Sequence, residues 1–306
     1  MPLVKPITPH LWFDTQAREA AAFYCGVFPD SRIASVVRLR GTPSGDCDVV
    51  NFVLHGQPFM AISAGPYFTF NPSISFMVRF DPRTPGSRER LEATWAALTD
   101  GGTALMPLDA YPFSPYYGWA QDRYGLSWQL ITVDPAAPPR PAIVPVLMFT
   151  GEAYGKAEEA GAFYREVFGD AEAGEMARYP EGMPHDRAGT VTYSDFRLGP
   201  TWFGAMDSGY PHGFGFNEAV SFLVHCRDQD EIDRYWVRLS AVPEAEQCGW
   251  CKDRFGVSWQ ISPVVLDALM TSGDAAVVDR VTRAFLGMKK LDVAAIEAAG
   301  RGEGPA

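Results

Sequence analysis

The residues able to do chemistry are few and widely spaced. Five cysteines stand at 25, 47, 226, 248 and 251, and five histidines at 10, 55, 185, 212 and 225. Cys248-Gly249-Trp250-Cys251 has the spacing of a redox dithiol. Such a dithiol needs its first cysteine at a helix N-terminus, which lowers the thiol pKa, whereas this segment leads into a strand. An odd cysteine count in a long chain argues against a disulfide framework and fits a reducing cytoplasm. No two histidines, and no histidine and glutamate, stand at the spacing of a metal site. Gly213-Phe214-Gly215-Phe216 lacks the third glycine and the following helix that a nucleotide cofactor needs.

His10 and the aromatic residues point to a pocket. If side chains alternate along a strand, His10 and Trp12 share one face while Leu11 and Phe13 share the other. Ser127, Gln129 and Ile131 likewise share a face opposite Trp128 and Leu130. The face carrying His10 and Gln129 is the polar, pocket-lining candidate, and the Trp128 face is expected to pack against a helix. Tyr111, Phe113, Tyr116 and Tyr117 stand in a connection, Leu98 to Trp119, that is longer than Leu239 to Trp250. Such a loop could close over an apolar or aromatic ligand, or its rings could pack against a sister domain.

The elements that must position these residues occur twice. Gly118-Trp119-Ala120-Gln121-Asp122-Arg123-Tyr124-Gly125-Leu126-Ser127-Trp128-Gln129 recurs as Gly249-Trp250-Cys251-Lys252-Asp253-Arg254-Phe255-Gly256-Val257-Ser258-Trp259-Gln260. Ala22-Phe23-Tyr24 recurs as Ala162-Phe163-Tyr164, and residues 71–78 recur as 217–224. Matches in the same order indicate an internal duplication. Residues 134–141 hold four prolines in a stiff, extended joint. The expected organisation is domain one over 1–134, a Pro-rich linker over 135–141, domain two over 142–263 and a helical tail over 264–306.

Each half reads as strand, helix and short strands, twice over. Asp14 is placed to cap a helix carrying Ala20, Phe23, Tyr24, Val27 and Phe28. Leu91, Trp95 and Leu98 mark a second helix, and its counterpart starts at Asp228 with Glu231 in capping-box spacing. Val49–Leu54, Phe59–Ser63, Ile74–Phe80 and Ser127–Thr132 read as strands. Gly125 and Gly256 precede the last strands, where a positive φ is expected. In the tail, Asp274–Leu286 and Lys289–Ala299 read as helices, and 300–306 as a frayed end.

Composition bounds the partners. The 306 residues are 47% hydrophobic and 21% charged, ordinary for a globular chain of about two domains. The net charge of −11 disfavours general binding of nucleic acid or anionic membrane. No apolar run approaches the roughly 20 residues of a membrane span, and the first residues lack the pattern of a secretion signal.

Ile7-Thr8-Pro9-His10-Leu11-Trp12-Phe13-Asp14, Ala21-Ala22-Phe23-Tyr24 and the segment Tyr111 through Gln129 resemble the PhnB-like branch of the vicinal-oxygen-chelate superfamily, which includes glyoxalase and bleomycin-resistance proteins. Cys248 through Gln260 and Phe285 through Asp292 are similar to the same branch. The resemblance implies an α+β fold of tandem glyoxalase-like domains, each of two βαβββ modules with curved mixed sheets, plus a C-terminal helical tail. It also implies an intramolecular pseudo-dimer, with homodimerisation left open.

In metal enzymes of the superfamily, a first-strand His or Gln and a last-strand Glu hold a divalent ion. On that pattern His10 and Gln129 are the metal candidates in domain one. Gln129 and its copy Gln260 replace the carboxylate, and Val146 replaces His10 in domain two. An amide is a weak donor to a hard cation, so no cofactor is expected. The expected ligand-binding set is His10, Trp12, Ser127, Gln129, Tyr111, Phe113, Tyr116 and Gln260. Part of the branch bears the name of a 3-demethylubiquinone methyltransferase, and the missing cofactor fingerprint argues against that chemistry. The leading expectation is a metal-free, cytoplasmic small-molecule-binding protein. The alternatives are a metal-dependent lyase, isomerase or dioxygenase in domain one, and an interaction protein whose second domain is a structural partner, with any pocket of its own shaped by the segment around Asp186.

Overall fold

The structure, a computed structural model, describes residues 3–303. The first half runs β1 (Thr8–Phe13), α1 (Ala17–Val27), β2 (Arg32–Thr42), β3 (Gly45–Leu54), β4 (Gln57–Ser63), β5 (Ile74–Phe80), α2 (Ser87–Thr99), β6 (Thr103–Tyr111), β7 (Ser114–Gln121) and β8 (Ser127–Thr132). The second runs β9 (Ile143–Phe149), α3 (Ala157–Phe168), β10 (Ala171–Arg178), β11 (Val191–Leu198), β12 (Thr201–Asp207), β13 (Val220–Cys226), α4 (Gln229–Leu239), β14 (Trp250–Lys252) and β15 (Ser258–Pro263). The tail holds α5 (Val264–Met270), α6 (Ala275–Leu286) and α7 (Val293–Arg301). This is the expected α+β fold, arranged as two curved mixed sheets; three modules are βαβββ, and the fourth, β13-α4-β14-β15, has one strand fewer among the described residues. Among the described residues no helix is long and apolar enough to cross a membrane.

Each sheet takes strands from both halves. The first sheet has the order β14-β15-β13-β1-β4-β3-β2, and the second β10-β11-β12-β9-β5-β8-β7-β6. The seams are antiparallel pairs, β1 with β13 and β5 with β9. They are one pairing seen twice, because β9 repeats β1 and β13 repeats β5. His10 faces Ser221 across one seam, and Val146 faces Ser75 across the other.

Alternation decides which side chains enter the core. Leu11, Phe13, Trp128 and Leu130 are fully buried, and they point toward helices and the opposite sheet. Trp128 packs against Tyr24 of α1 and Phe28 just after it, with ring centroids 5.3 and 5.0 Å away. Trp259 meets Tyr164 and Phe168 of α3 at 5.3 and 5.6 Å. The sheets touch through Phe59 and Phe76, 5.2 Å apart, and through Phe203 and Phe222, 5.0 Å apart. Truncating one such ring costs about 3–5 kcal/mol.

The long repeated motif has a structural cause. Buried Asp122 accepts from Tyr24 Oη (2.7 Å), Trp128 Nε1 (2.8 Å), Tyr124 N (2.8 Å) and Leu126 N (3.1 Å). Asp253 repeats the set with Tyr164, Trp259, Phe255 and Val257. One carboxylate thereby ties helix, turn and last strand together. Gly125 and Gly256 complete those turns with φ of 86° and 94°. Burial pushes both carboxyls above the usual range, against the pull of their hydrogen bonds.

Several expected boundaries shift. Asp14 does not cap α1: Gln16 occupies the cap position, and Ser63 Oγ of β4 accepts from Ala17 N at 3.1 Å instead. Asp228 caps α4 by accepting from Glu231 N, but Glu231 reaches back to Arg227 N rather than closing the reciprocal box. The long aromatic connection is not a loop: it forms the β6–β7 hairpin at the edge of the second sheet. In the tail, α6 starts after its cap Asp274 as expected, whereas α7 begins at Val293, once Asp292 caps it. The helix holds order through Arg301; of the end expected to fray, 304–306 lie outside the described residues, as do 1–2.

Candidate functional site

The concave face of the first sheet encloses a cavity of about 1040 Å³. Thr8, His10 and Trp12 of β1 line it, as alternation requires. Gln260 of β15, His225 of β13 and alternate residues of β2 to β4, among them Val37, Leu39, Val49 and Ile62, add to the wall. Tyr67, Phe68 and Trp250 contribute rings, and Met270, Phe285, Leu286 and Leu291 close one side from the tail. The tail is fastened there because Cys248 N and Gly249 N donate to Met288 O and Lys289 O, both at 2.7 Å.

His10 is the polar centre of this face. It is 3% exposed, and Nδ1 has no hydrogen-bond partner. Burial pushes its pKa down to about 3, so the imidazole is neutral at physiological pH. Trp250 packs edge-on against it at 5.4 Å and against Trp12 at 6.0 Å. Beside it, Gln260 Nε2 donates to Ser221 Oγ at 3.0 Å. Lys252 and Glu218 form an ion pair at 2.6 Å, with Glu218 in the cavity wall.

On the matching face of the second sheet the side chains bond one another. Gln129 Nε2 donates to Ser75 Oγ at 2.8 Å, and Tyr117 Oη donates to Gln129 Oε1 at 2.8 Å. Trp119 Nε1 donates to Ser127 Oγ at 2.7 Å. Arg140, from the Pro-rich joint, lies over Trp202 at 3.6 Å and is held by Asp195 at 2.6 Å. The first sheet differs at equivalent positions. Cys248 replaces Tyr117, and Trp250 leans on His10 instead of bonding Ser258, whose buried hydroxyl has no partner.

The expected site residues therefore divide. His10, Trp12 and Gln260 meet in the cavity. Ser127 and Gln129 belong to the second sheet, so the structure does not bring His10 and Gln129 together: β1 and β8 lie in different sheets. Tyr111 and Phe113 stack at 5.6 Å on the β6–β7 hairpin, and Tyr116 bonds Glu92 under Arg88, all on the second sheet. Sequence reasoning missed Thr8, His225 and Asp267. Alternation from His10 could have found Thr8; the other two become neighbours only through tertiary pairing.

The donors do not suit the divalent metal of the superfamily's enzymes. His10 has an amide, Gln260, in place of the last-strand carboxylate, and Met60 and Ser221 as its strand neighbours. Among the described residues no group of three or more His, Cys, Asp or Glu could hold a metal ion. Cys248 and Cys251 are both free, and burial raises both thiols, the reverse of a redox dithiol. The Gly213 segment lies between β12 and β13, with no helix after it. Asp186 lies between β10 and β11 and accepts from Gly209 N at 2.7 Å.

The family described as 3-demethylubiquinone-9 3-methyltransferase matches residues 5–131 and again 141–262. A PhnB protein from Bacillus cereus is 36% identical over 42% of this chain and 100% of its own, with a TM-score of 0.38. A protein from Staphylococcus aureus is 30% identical over 43% of this chain and 98% of its own, with a TM-score of 0.17. Glyoxalase I from Zea mays is 12% identical over 83% of this chain and 90% of its own, with a TM-score of 0.48. No curated protein matches the chain. The family's two successive matches, over residues 5–131 and 141–262, identify the chain as a tandem member of that family.

Proposed function

We propose that this chain binds one small, largely apolar, uncharged molecule in the first-sheet cavity, without a metal. The observation that carries the reading is the neutral, buried imidazole of His10, its Nδ1 unpartnered, in a large cavity walled by aliphatic and aromatic side chains. A buried polar atom without a partner is costly, and a ligand group that hydrogen-bonds it recovers that cost. The apolar wall supplies affinity and His10 orientation. The second sheet is a supporting twin.

Titration with N-phenyl-1-naphthylamine, an uncharged aromatic fluorophore, tests this reading. Saturable binding of one molecule per chain, unchanged by a chelator, is expected. One tightly bound divalent metal per chain in purified protein, with activity lost on its removal, would instead establish the metal-dependent alternative. Methyl transfer, which the family's description names, has no part in this reading.

A further inference from the structure

The cavity wall also holds a chain of polar groups that ligand binding does not require. Thr8 Oγ1 lies 3.1 Å from His225 Nε2, and His225 Nδ1 lies 2.8 Å from Asp267 Oδ2. Lys5 Nζ donates to that same carboxylate oxygen at 3.0 Å. All four residues line the cavity, and Thr8 and His225 are each 6% exposed. The β1–β13 register brings them together: Thr8 faces Leu223, two residues from His225 along the same strand face. Burial alone would raise the Asp267 carboxyl, but its bonds to His225 and Lys5 outweigh that and hold it below the usual range. An ionised carboxylate on Nδ1 keeps the ring proton there and leaves Nε2 free to accept from a hydroxyl.

We propose that Thr8 is a nucleophile activated by His225 and Asp267, and that the cavity hydrolyses small apolar carboxylic esters. Thr8 Oγ1 bonds to the ester carbonyl carbon as its proton passes to His225 Nε2. The carbon–oxygen bond to the leaving alcohol breaks, and the alcohol departs with that proton. A water, giving a proton to the same imidazole, attacks the acyl-threonine, releasing the acid and restoring Thr8. Asp267 positions the ring and stabilises the transient imidazolium. The inference rests on the cavity reading for access of the ester.

The same chain fastens α5 to the sheet, so the test reads chemistry as well as stability. The full chain is treated with a fluorophosphonate and, separately, with p-nitrophenyl butyrate. The expected result is one adduct per chain on the peptide containing Thr8. Ester hydrolysis should fall about 100-fold in Thr8→Val and His225→Gln, and be retained in Thr8→Ser. A wild-type chain with no adduct, or an adduct mapping elsewhere, overturns the proposal, as does Thr8→Val hydrolysing at the wild-type rate. If a variant does not fold, the wild-type adduct map decides. Binding of N-phenyl-1-naphthylamine by the same wild-type sample separates the two readings: binding without an adduct sinks only the nucleophile, and no binding sinks the cavity.

Discussion

His10 carries the polar part of the site, and its burial gives it a measurable signature. The folded pKa of about 3 lies below the ordinary value of 6.5. Between those values the unfolded chain binds a proton that the folded chain does not, so stability falls as pH drops through that window and is level above it. The slope from this group is about 1.4 kcal/mol per pH unit. His10→Val, which installs the residue of the twin site, should flatten it. Urea midpoints of both proteins from pH 7 to pH 4 check this, and parallel curves would contradict it. Asp122 has the opposite kind of role. Asp122→Ala strands Tyr24 Oη and Trp128 Nε1, and should cost about 3 kcal/mol in denaturant unfolding. It should leave probe binding in the cavity unchanged. His10 and Trp12 were legible as pocket residues because period-two alternation settles the face. His225 was not, because what gives it meaning is Thr8 and Asp267, both distant in sequence.

At the scale of elements, the strands with alternating or continuous apolar runs were readable: Ile74–Phe80 and Ser127–Thr132 fall where expected. The hairpin was not. Pro107, Pro112 and Pro115 punctuate the segment, and β6 has no buried residue, so the segment reads as a loop. Helix α5 escaped because it is only seven residues long and follows β15 without a side-chain cap. The hairpin's place on the second sheet makes a sharp prediction. Tyr111→Ala and Phe113→Ala should each leave the affinity of the cavity for N-phenyl-1-naphthylamine within about twofold. A tenfold loss in a fluorescence titration would place the aromatic hairpin back at the site.

At the scale of the molecule, the duplication was plain in sequence but the exchange of strands was not. A repeat says which segments are equivalent; it does not say which copies share a sheet. Equivalence within one half therefore groups Gln129 with His10, whereas Gln260, from the other half, shares its sheet. Both seams join the halves, so neither half can complete either sheet alone. Co-expressed residues 1–141 and 142–306 should therefore copurify in equal amounts, and a first half purified alone as a stable monomer would contradict this. On the proposed function, the first-sheet cavity, and not its twin, takes an uncharged apolar ligand without metal. The most direct measurement is N-phenyl-1-naphthylamine titration, in chelator, of the wild type, of Val37→Trp, which fills the cavity, and of Met77→Trp, on the twin face. One site is expected in the wild type and in Met77→Trp, with binding lost in Val37→Trp. Binding that survives Val37→Trp, or that needs a divalent metal, would contradict it.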